Sequence, residues 1–291
     1  MTGAQGLVGS ALRSRLTDAG CQVTGLTRSA RPGALTWNPH GSWDASPLEG
    51  FDAVVHLAGE SVAQPWTSAR KQAIMESRSA GTASLCRALA GLAHPPPTLI
   101  CASAIGLYGD RGDTLLDEQS GSGEGFLAEV VKAWEAAAEP AREAGLRVVH
   151  LRLGVVLSPR GGALTKMLGP FRAGLGGPVG GGGQYMSWIS LDDATRAFEF
   201  VLENDETRGA YNLVSPSPVT NGAFTAALGR ALRRPACIPL PRLAVSTLFG
   251  QMGREVLLFS QRVSSARLSA AGFDFNDTQI DDTLRRILAS P

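Results

Sequence analysis

Three glycines stand at spacings of three in Thr2-Gly3-Ala4-Gln5-Gly6-Leu7-Val8-Gly9, just ahead of an amphipathic stretch. In such a turn one glycine allows the tight bend and another lets a diphosphate approach the backbone. The third lets helix and strand pack closely. The helix start adds free N–H groups and a partial positive charge. This is the chemistry of dinucleotide binding, with Gly3, Gln5, Gly6, Leu7 and Val8 as candidate contacts. The next strand-like run ends in Thr27-Arg28-Ser29, without a carboxylate. Asp or Glu there would take a ribose 2′-hydroxyl, whereas the guanidinium fork of Arg28, with Ser29 beside it, matches a 2′-phosphate. NADP(H) is therefore expected in preference to NAD(H).

Further pieces follow in order: His56-Leu57-Ala58-Gly59-Glu60, Ser77-Arg78 with Thr82, Ser103-Ala104-Ile105-Gly106-Leu107-Tyr108-Gly109, Trp134-Glu135, Leu151 to Leu157, Gly161 to Leu164, Ser187 to Asp193, and Gln261-Arg262-Val263 through Gly272-Phe273. Jointly they resemble the atypical extended short-chain dehydrogenases/reductases, the "epimerase family" group of NADP-binding proteins with a small C-terminal domain. The resemblance covers essentially the whole chain. It implies that the backbone of Leu57, Ala58 and Gly59 passes near the adenosine-side phosphates, and that Arg78 on the following helix reaches the cofactor.

Ordinary reductases of this superfamily move a proton with a Tyr-x-x-x-Lys pair, the Lys lowering the Tyr pKa from one helical turn away. The chain has three tyrosines, and the residues four positions on are Gly112, Ile189 and Ser215. Phe126 or Leu127 stands where the Tyr is expected, and Val130 or Val131 where the Lys is. The usual Ser position falls on Ala104, with Ser103 one place earlier. The candidates that remain for acid, base or substrate contact are Ser103, Tyr108 and Lys132, with Glu60 and Asp110 near the same sheet edge. Each has a plain structural alternative: a strand-end serine, a loop-packing tyrosine, a solvated lysine, a helix-capping glutamate.

Positioning these residues calls for alternating strands and helices. Cys21–Thr27, Phe51–Ala58, Thr98–Ala104, Arg147–Leu153 and Ala210–Val214 read as strands, several almost wholly apolar as in buried parallel sheets. Leu7–Ala19, Ser68–Leu92, Gly125–Ala144 and Leu191–Leu202 read as helices. The order predicts an α/β fold, a Rossmann-type doubly wound parallel sheet with a smaller, mostly helical C-terminal substrate domain. Residues 1–157 form the NADP-binding part, with 185–215 returning to it, and 158–184 with 216–291 form the smaller domain. The glycine-rich Gly174–Gly183 and Trp188 are expected to line or cover the substrate cleft. A Rossmann fingerprint also calls for a strand directly before it, yet only Met1 and Thr2 precede Gly3. The expectation is that the natural chain begins several residues upstream, since a missing central strand would open a slot mid-core.

Composition narrows the function classes. With 44% apolar and 18% charged residues the chain has the makings of a core, and a net charge of +1 gives no field to draw in nucleic acid or a membrane surface. No apolar run approaches the ~20 residues of a membrane helix. Four cysteines without a CxxC pair read as reduced, buried thiols of a cytoplasmic protein. The histidines show no metal spacing, and neither a GxSxG elbow nor a P-loop lysine occurs. The expected protein is an NADP(H)-binding oxidoreductase or epimerase-like enzyme, monomer or homodimer, acting on a small carbonyl or hydroxyl substrate. The alternative is a non-catalytic NADPH-binding regulator or sensor.

Overall fold

The structure, a computed structural model, describes residues 1–289. The glycine turn leads into α1 (Leu7–Asp18), followed by β1 (Gly25–Thr27), β2 (Ala34–Thr36), β3 (Ala53–His56), α2 (Ser68–Ala90) and β4 (Thr98–Ala104). Then come β5 (Leu115–Leu116), α3 (Phe126–Ala136), α4 (Glu139–Glu143), β6 (Arg147–Leu153), β7 (Val155–Leu157) and α5 (Gly162–Arg172). The rest comprises β8 (Tyr185–Met186), β9 (Trp188–Ser190), α6 (Leu191–Glu203), β10 (Gly209–Leu213), β11 (Val219–Thr220), α7 (Asn221–Leu232), α8 (Arg242–Gly253), β12 (Arg262–Val263), α9 (Ala266–Ala270) and α10 (Ile280–Ala289).

β3, β4, β6 and β10 pair side by side, all parallel, and β1 pairs parallel with β2. Thr2 joins the two groups through parallel bridges to Leu26 and His56. The spatial order is thus β2, β1, Thr2, β3, β4, β6, β10. The chain leaves Thr2 to one side for β1 and later returns on the other side for β3. The glycine turn therefore sits at the switch point, where ligands bind in open α/β sheets. β4 and β6 are buried along almost their whole length, because helices cover both faces. On one face Leu12 and Leu16 of α1 and Phe198 and Val201 of α6 pack on Val55, Ile100 and Val149. On the other, Leu85 and Leu89 of α2 and Ala138 and Ala141 pack on Val54, Leu99, Cys101 and Val148. A separate core joins α5, α7 and α10 through Leu164, Leu168, Phe224, Leu228 and Leu284.

Several boundaries depart from the sequence reading. The strand expected over Cys21–Thr27 narrows to β1, with Met1 and Thr2 bonded alongside it. Beside Met1 a groove of about 740 Å³ runs along the N-terminal edge of the sheet, past Thr24, Ala53, Thr98 and Arg147. The helix expected over Gly125–Ala144 divides into α3 and α4, with Pro140 in the first turn of the second. Helix α5 lies in the glycine-rich stretch from Gly161 to Gly183, which shows no clear strand in the sequence. Cys86 and Cys101 are buried, but Cys21 and Cys237 are exposed, because they fall in connections rather than in the strand and helix cores.

Candidate functional site

At the switch point the loop after β3 lies directly on the glycine turn. Gly3 has φ +63, and a Cβ there would fall 2.6 Å from the Leu57 carbonyl carbon, so no side chain fits. A Cβ on Gly9 would meet the Gly3 carbonyl oxygen at 2.2 Å, which requires glycine for the close packing of α1 on the turn. Gly6 is different: its nearest non-local atom would be 3.4 Å away, so one side of the turn is open. Gly6 is also the N-cap of α1, and no side chain caps that end. The first N–H groups of the helix are left for a ligand. Gly3, Gln5, Gly6, Arg28, Ser29, Leu57, Ala58 and Gly59 line one cleft of about 330 Å³. These features fit a dinucleotide diphosphate at the turn with its adenosine end toward Arg28.

Of the other predicted contacts, Leu7 and Val8 stand at the open helix start and Arg78 does not line the cleft. Leu7 and Val8 contribute the helix start, while the Leu7 side chain packs against Gly161 and Gly162. Arg78 sits behind the loop, its Nη1 donating to the carbonyls of Glu60 and Ile74 and its guanidinium 5.0 Å from the Trp134 ring. Burial lowers its pKa to about 10, against a raising influence from Glu60. It braces the Gly59–Glu60 segment. The sequence reading missed Arg31 and His40, which also line the cleft. The spacing of Arg31, three residues from Arg28 in an exposed loop, was the available signal.

It also missed what fixes the loop. Thr2 Oγ1 accepts from the backbone N–H groups of Leu57 (3.0 Å) and Ala58 (3.1 Å), which uses both its lone pairs. Its proton must go to Nδ1 of His56, 2.8 Å away, so Nε2 carries the imidazole proton and donates to Thr82 Oγ1 at 3.0 Å. His56 is fully buried, and burial, with the amino-terminal charge adding to it, lowers its pKa to about 4. A neutral imidazole is what this chain of hydrogen bonds requires.

At the C-terminal end of β4, Ser103 and Tyr108 are linked through Glu135 and Arg152, whereas Lys132 stands apart. Of the residues expected in the Tyr and Lys places, Leu127 and Val131 face Gly106 at the end of β4: a Cβ on Gly106 would stand 3.3 Å from Leu127 Cβ and 3.9 Å from Val131 Cγ2. Neither side chain carries a proton. Lys132 is exposed on the outer face of α3 and so does not join the candidate set. Tyr108 is wholly buried, donating to Asn212 Oδ1 at 2.7 Å and accepting from Arg152 Nη1 at 3.0 Å. Burial raises its pKa, and Arg152 offsets part of that. Ser103 is buried and donates to Glu135 Oε1 at 2.6 Å. For Glu135, burial raises the pKa, but the Arg152 bonds and charge and the Ser103 hydroxyl bring it below the ordinary value. Glu60 pairs with Arg70, and Asp110 accepts from the Ser260 backbone, so both have structural partners.

The glycine-rich segment packs on the chain around Ile238. Gly177 is packed so tightly on Ile238 that a Cβ would fall 1.9 Å from its carbonyl oxygen, and backbone bonds join 176–180 to 238–240. Trp188 is fully buried in the core of α5 and α7, its Nε1 donating to the Ser217 carbonyl. Its apolar ring is worth more in that core than at a cleft.

A parallel sheet with a glycine turn at its switch point and a cleft reaching Arg28 defines a dinucleotide-binding protein of the extended reductase type. Residues 1–213 match the NAD dependent epimerase/dehydratase family, and residues 240–287 match a domain of unknown function, DUF1731. The chain belongs to that epimerase/dehydratase family. Epimerase family protein Mb2239 of Mycobacterium bovis is 44% identical over 98% of this chain and 95% of its own length. The human epimerase family protein SDR39U1 is 36% identical over 99% of this chain and 98% of its own length. Among solved structures, human SDR39U1 (isoform 2) with NADPH superposes with a TM-score of 0.92 at 34% identity, covering 100% of this chain and 98% of that one. A nucleoside-diphosphate sugar epimerase from Corynebacterium glutamicum gives 0.81 at 36% identity, over 99% of this chain and 57% of that one. No described helix is long and apolar enough to cross a membrane.

Proposed function

We propose that this protein binds NADP(H) and is an oxidoreductase or epimerase-like enzyme for a small carbonyl or hydroxyl substrate, working without a Tyr-Lys pair. The observation that carries the reading is one cleft running from the Gly3–Gly6 turn to Arg28 and Ser29. The turn's amide groups would hold the diphosphate, and Leu57, Ala58 and Gly59 would form the opposite wall. Arg28, with Arg31 beside it, would meet a 2′-phosphate through charge-assisted hydrogen bonds. When bound, the coenzyme supplies or accepts hydride. The NADPH held by the human relative supports the coenzyme assignment.

Calorimetry with NADPH and NADH on the wild type and Arg28→Ala tests this. The variant should bind NADPH about tenfold or more weakly, the equivalent of a hydrogen bond to a charged group, and NADH almost unchanged. Equal losses for both coenzymes would remove the 2′-phosphate argument, and no uptake of either would remove the whole reading.

A second reading, a non-catalytic NADPH-binding regulator, is favoured by one observation: the side chains facing Gly106 at the end of β4 are the apolar Leu127 and Val131, while Tyr108 and Ser103 are bonded inside the protein. A panel of carbonyl compounds followed by NADPH absorbance separates the two.

A further inference from the structure

Inside this protein arginines are held by oxygen atoms. Arg78 meets the Glu60 and Ile74 carbonyls, Arg147 the carbonyls of Val201, Asn204 and Thr207, and Arg152 the Glu135 carboxylate. Arg262 is the half-buried exception among the described residues. Its Nε is enclosed without a hydrogen-bond partner, and neither a carboxylate nor a carbonyl meets the rest of its guanidinium. It lies instead over the Tyr185 ring, 5.2 Å from the centroid. The Tyr185 hydroxyl, on a half-buried residue, likewise has no partner among the described residues. Leaving the enclosed Nε donor unpaired is costly, while the outer guanidinium nitrogens and the Tyr185 hydroxyl stay open to a ligand. Stacking holds the guanidinium plane in place without using its donors.

The location is the sheet edge at which ligands bind. Gln261, just before Arg262, donates through Nε2 to the carbonyls of Ile105 and Gly109, both at 3.1 Å, in the turn that follows β4. Val263 is buried with Ile105, Leu107 and Tyr108. Alternation along β12 sends Arg262 the other way, toward Tyr185 of β8. Tyr185 is itself tied to the same segment, its N–H bonded to Ser260 Oγ at 2.9 Å and its carbonyl to the Gln261 N–H at 3.1 Å. The pair therefore stands where the C-terminal segment meets the end of β4, apart from the coenzyme cleft around Arg28.

We propose that Arg262 and Tyr185 form the anion-recognition end of the substrate site, and that the substrate carries a compact oxyanion, a carboxylate or a phosphate. The guanidinium fork takes two of its oxygens side by side and the Tyr185 hydroxyl donates to one of them. The assignment rests on the proposed reading of an enzyme with a small substrate, but not on the identity of the coenzyme.

The test titrates protein saturated with NADPH, so that the dinucleotide site is filled, with inorganic phosphate and with malonate, by calorimetry. Wild type, Arg262→Met, Arg262→Lys and Tyr185→Phe are compared, with the melting temperature of each recorded. One of the two anions should bind the wild type, about tenfold or more weakly in Arg262→Met, with part of the loss restored in Arg262→Lys. NADPH affinity should stay the same in all four. Preference for phosphate assigns a phosphorylated substrate, and preference for malonate a carboxylic acid. Binding of neither anion to the wild type, or equal affinity in Arg262→Met, overturns the proposal. If Arg262→Met does not fold, Tyr185→Phe decides, since it keeps the ring and removes only the hydroxyl; unchanged anion affinity there also overturns it. Failure to take up NADPH, with anion binding still dependent on Arg262, counts against the coenzyme reading alone.

Discussion

Arg152 meets Glu135 through two parallel bonds, Nε to Oε1 and Nη2 to Oε2, both 2.8 Å, with side chains only 9% and 17% exposed. Ser103 adds a third bond to the same carboxylate, and Tyr108 receives the other arm of the guanidinium. Removing one partner leaves the other charged and buried. Glu135→Leu should therefore cost about 3–5 kcal/mol in urea denaturation, and Glu135→Leu combined with Arg152→Met should recover most of it. Ser103→Ala should cost about 1–2 kcal/mol through the lost bond to a charged acceptor. A Ser103→Ala variant that keeps full stability and loses only turnover would return Ser103 to the chemistry.

Two glycines of the opening turn should fail in different ways. Gly9→Ala drives a methyl to 2.2 Å from the Gly3 carbonyl oxygen, and the backbone there has no freedom to retreat. The expected result is loss of several kcal/mol of stability, as for other forced core overlaps. Gly6→Ala makes no contact closer than 3.4 Å and should melt within a few degrees of wild type. It nonetheless puts a methyl where the diphosphate must approach, so NADPH binding should fall steeply. Thermal denaturation and calorimetry on the pair check this. A Gly6→Ala protein that binds NADPH normally would place the diphosphate elsewhere.

Two buried histidines set an acid limit. His56 and His150 are each lowered by burial from 6.5 to about 4, His150 with Glu135 pulling upward and Arg142 and Arg152 pulling down. The folded state resists protonation that the unfolded chain accepts near pH 6.5. Stability is thus fully present above about pH 6.5 and is lost as pH falls through 4, on the order of 3 kcal/mol per histidine. Neither nitrogen of His150 has a partner among the described residues, so His150→Leu should be no less stable at neutral pH. It should also flatten the decline between pH 6.5 and 4.5. An unaltered slope would mean that His150 is not charged on unfolding in that range.

Much of this architecture was legible in the residues. β4 and β6 fell on the expected boundaries because apolar runs buried on both faces carry their own signal. The glycine turn announced its place at the switch point, since no other residue type meets the sterics at Gly3 and Gly9. The network through Thr2, His56 and Thr82 was not legible, because its members come together only when two strands and a helix pack. For the same reason Trp188 looked like a cleft residue beside a glycine run: nothing local shows that α5 and α7 enclose it. Arg262 looked like one more charge in a motif, and its lack of a partner is a property of the folded neighbourhood.

Helix α3 has no cap of its own. Its N-cap is Gly125, and the carboxylate of Glu255, 130 positions later by number, accepts from the N–H groups of Phe126 (3.1 Å) and Leu127 (2.9 Å). Glu255 is buried, so the positive end of the helix meets a negative charge with little solvent between them. Gln251 Nε2 bonds the same carboxylate and Lys71 Nζ in turn bonds Gln251 Oε1, tying α2, α3 and the C-terminal segment together. Glu255→Ala should cost about 2–3 kcal/mol, more than an exposed cap, because two buried N–H groups lose their acceptor. A local replacement is not available. Gly125 has φ +110, and a Cβ there would stand 3.0 Å from Glu255 Oε2, so Gly125→Ser should destabilise the protein despite supplying a good capping side chain. Hydrogen exchange gives the local readout: the amides of 126–131 should lose protection in Glu255→Ala well before those of β4. Because Leu127 packs on Gly106 at the end of β4, that loosening should reach the candidate site while leaving the Arg28 end of the coenzyme cleft intact. Uniform loss of protection across the chain would mean that Glu255 holds the whole fold rather than this one helix start.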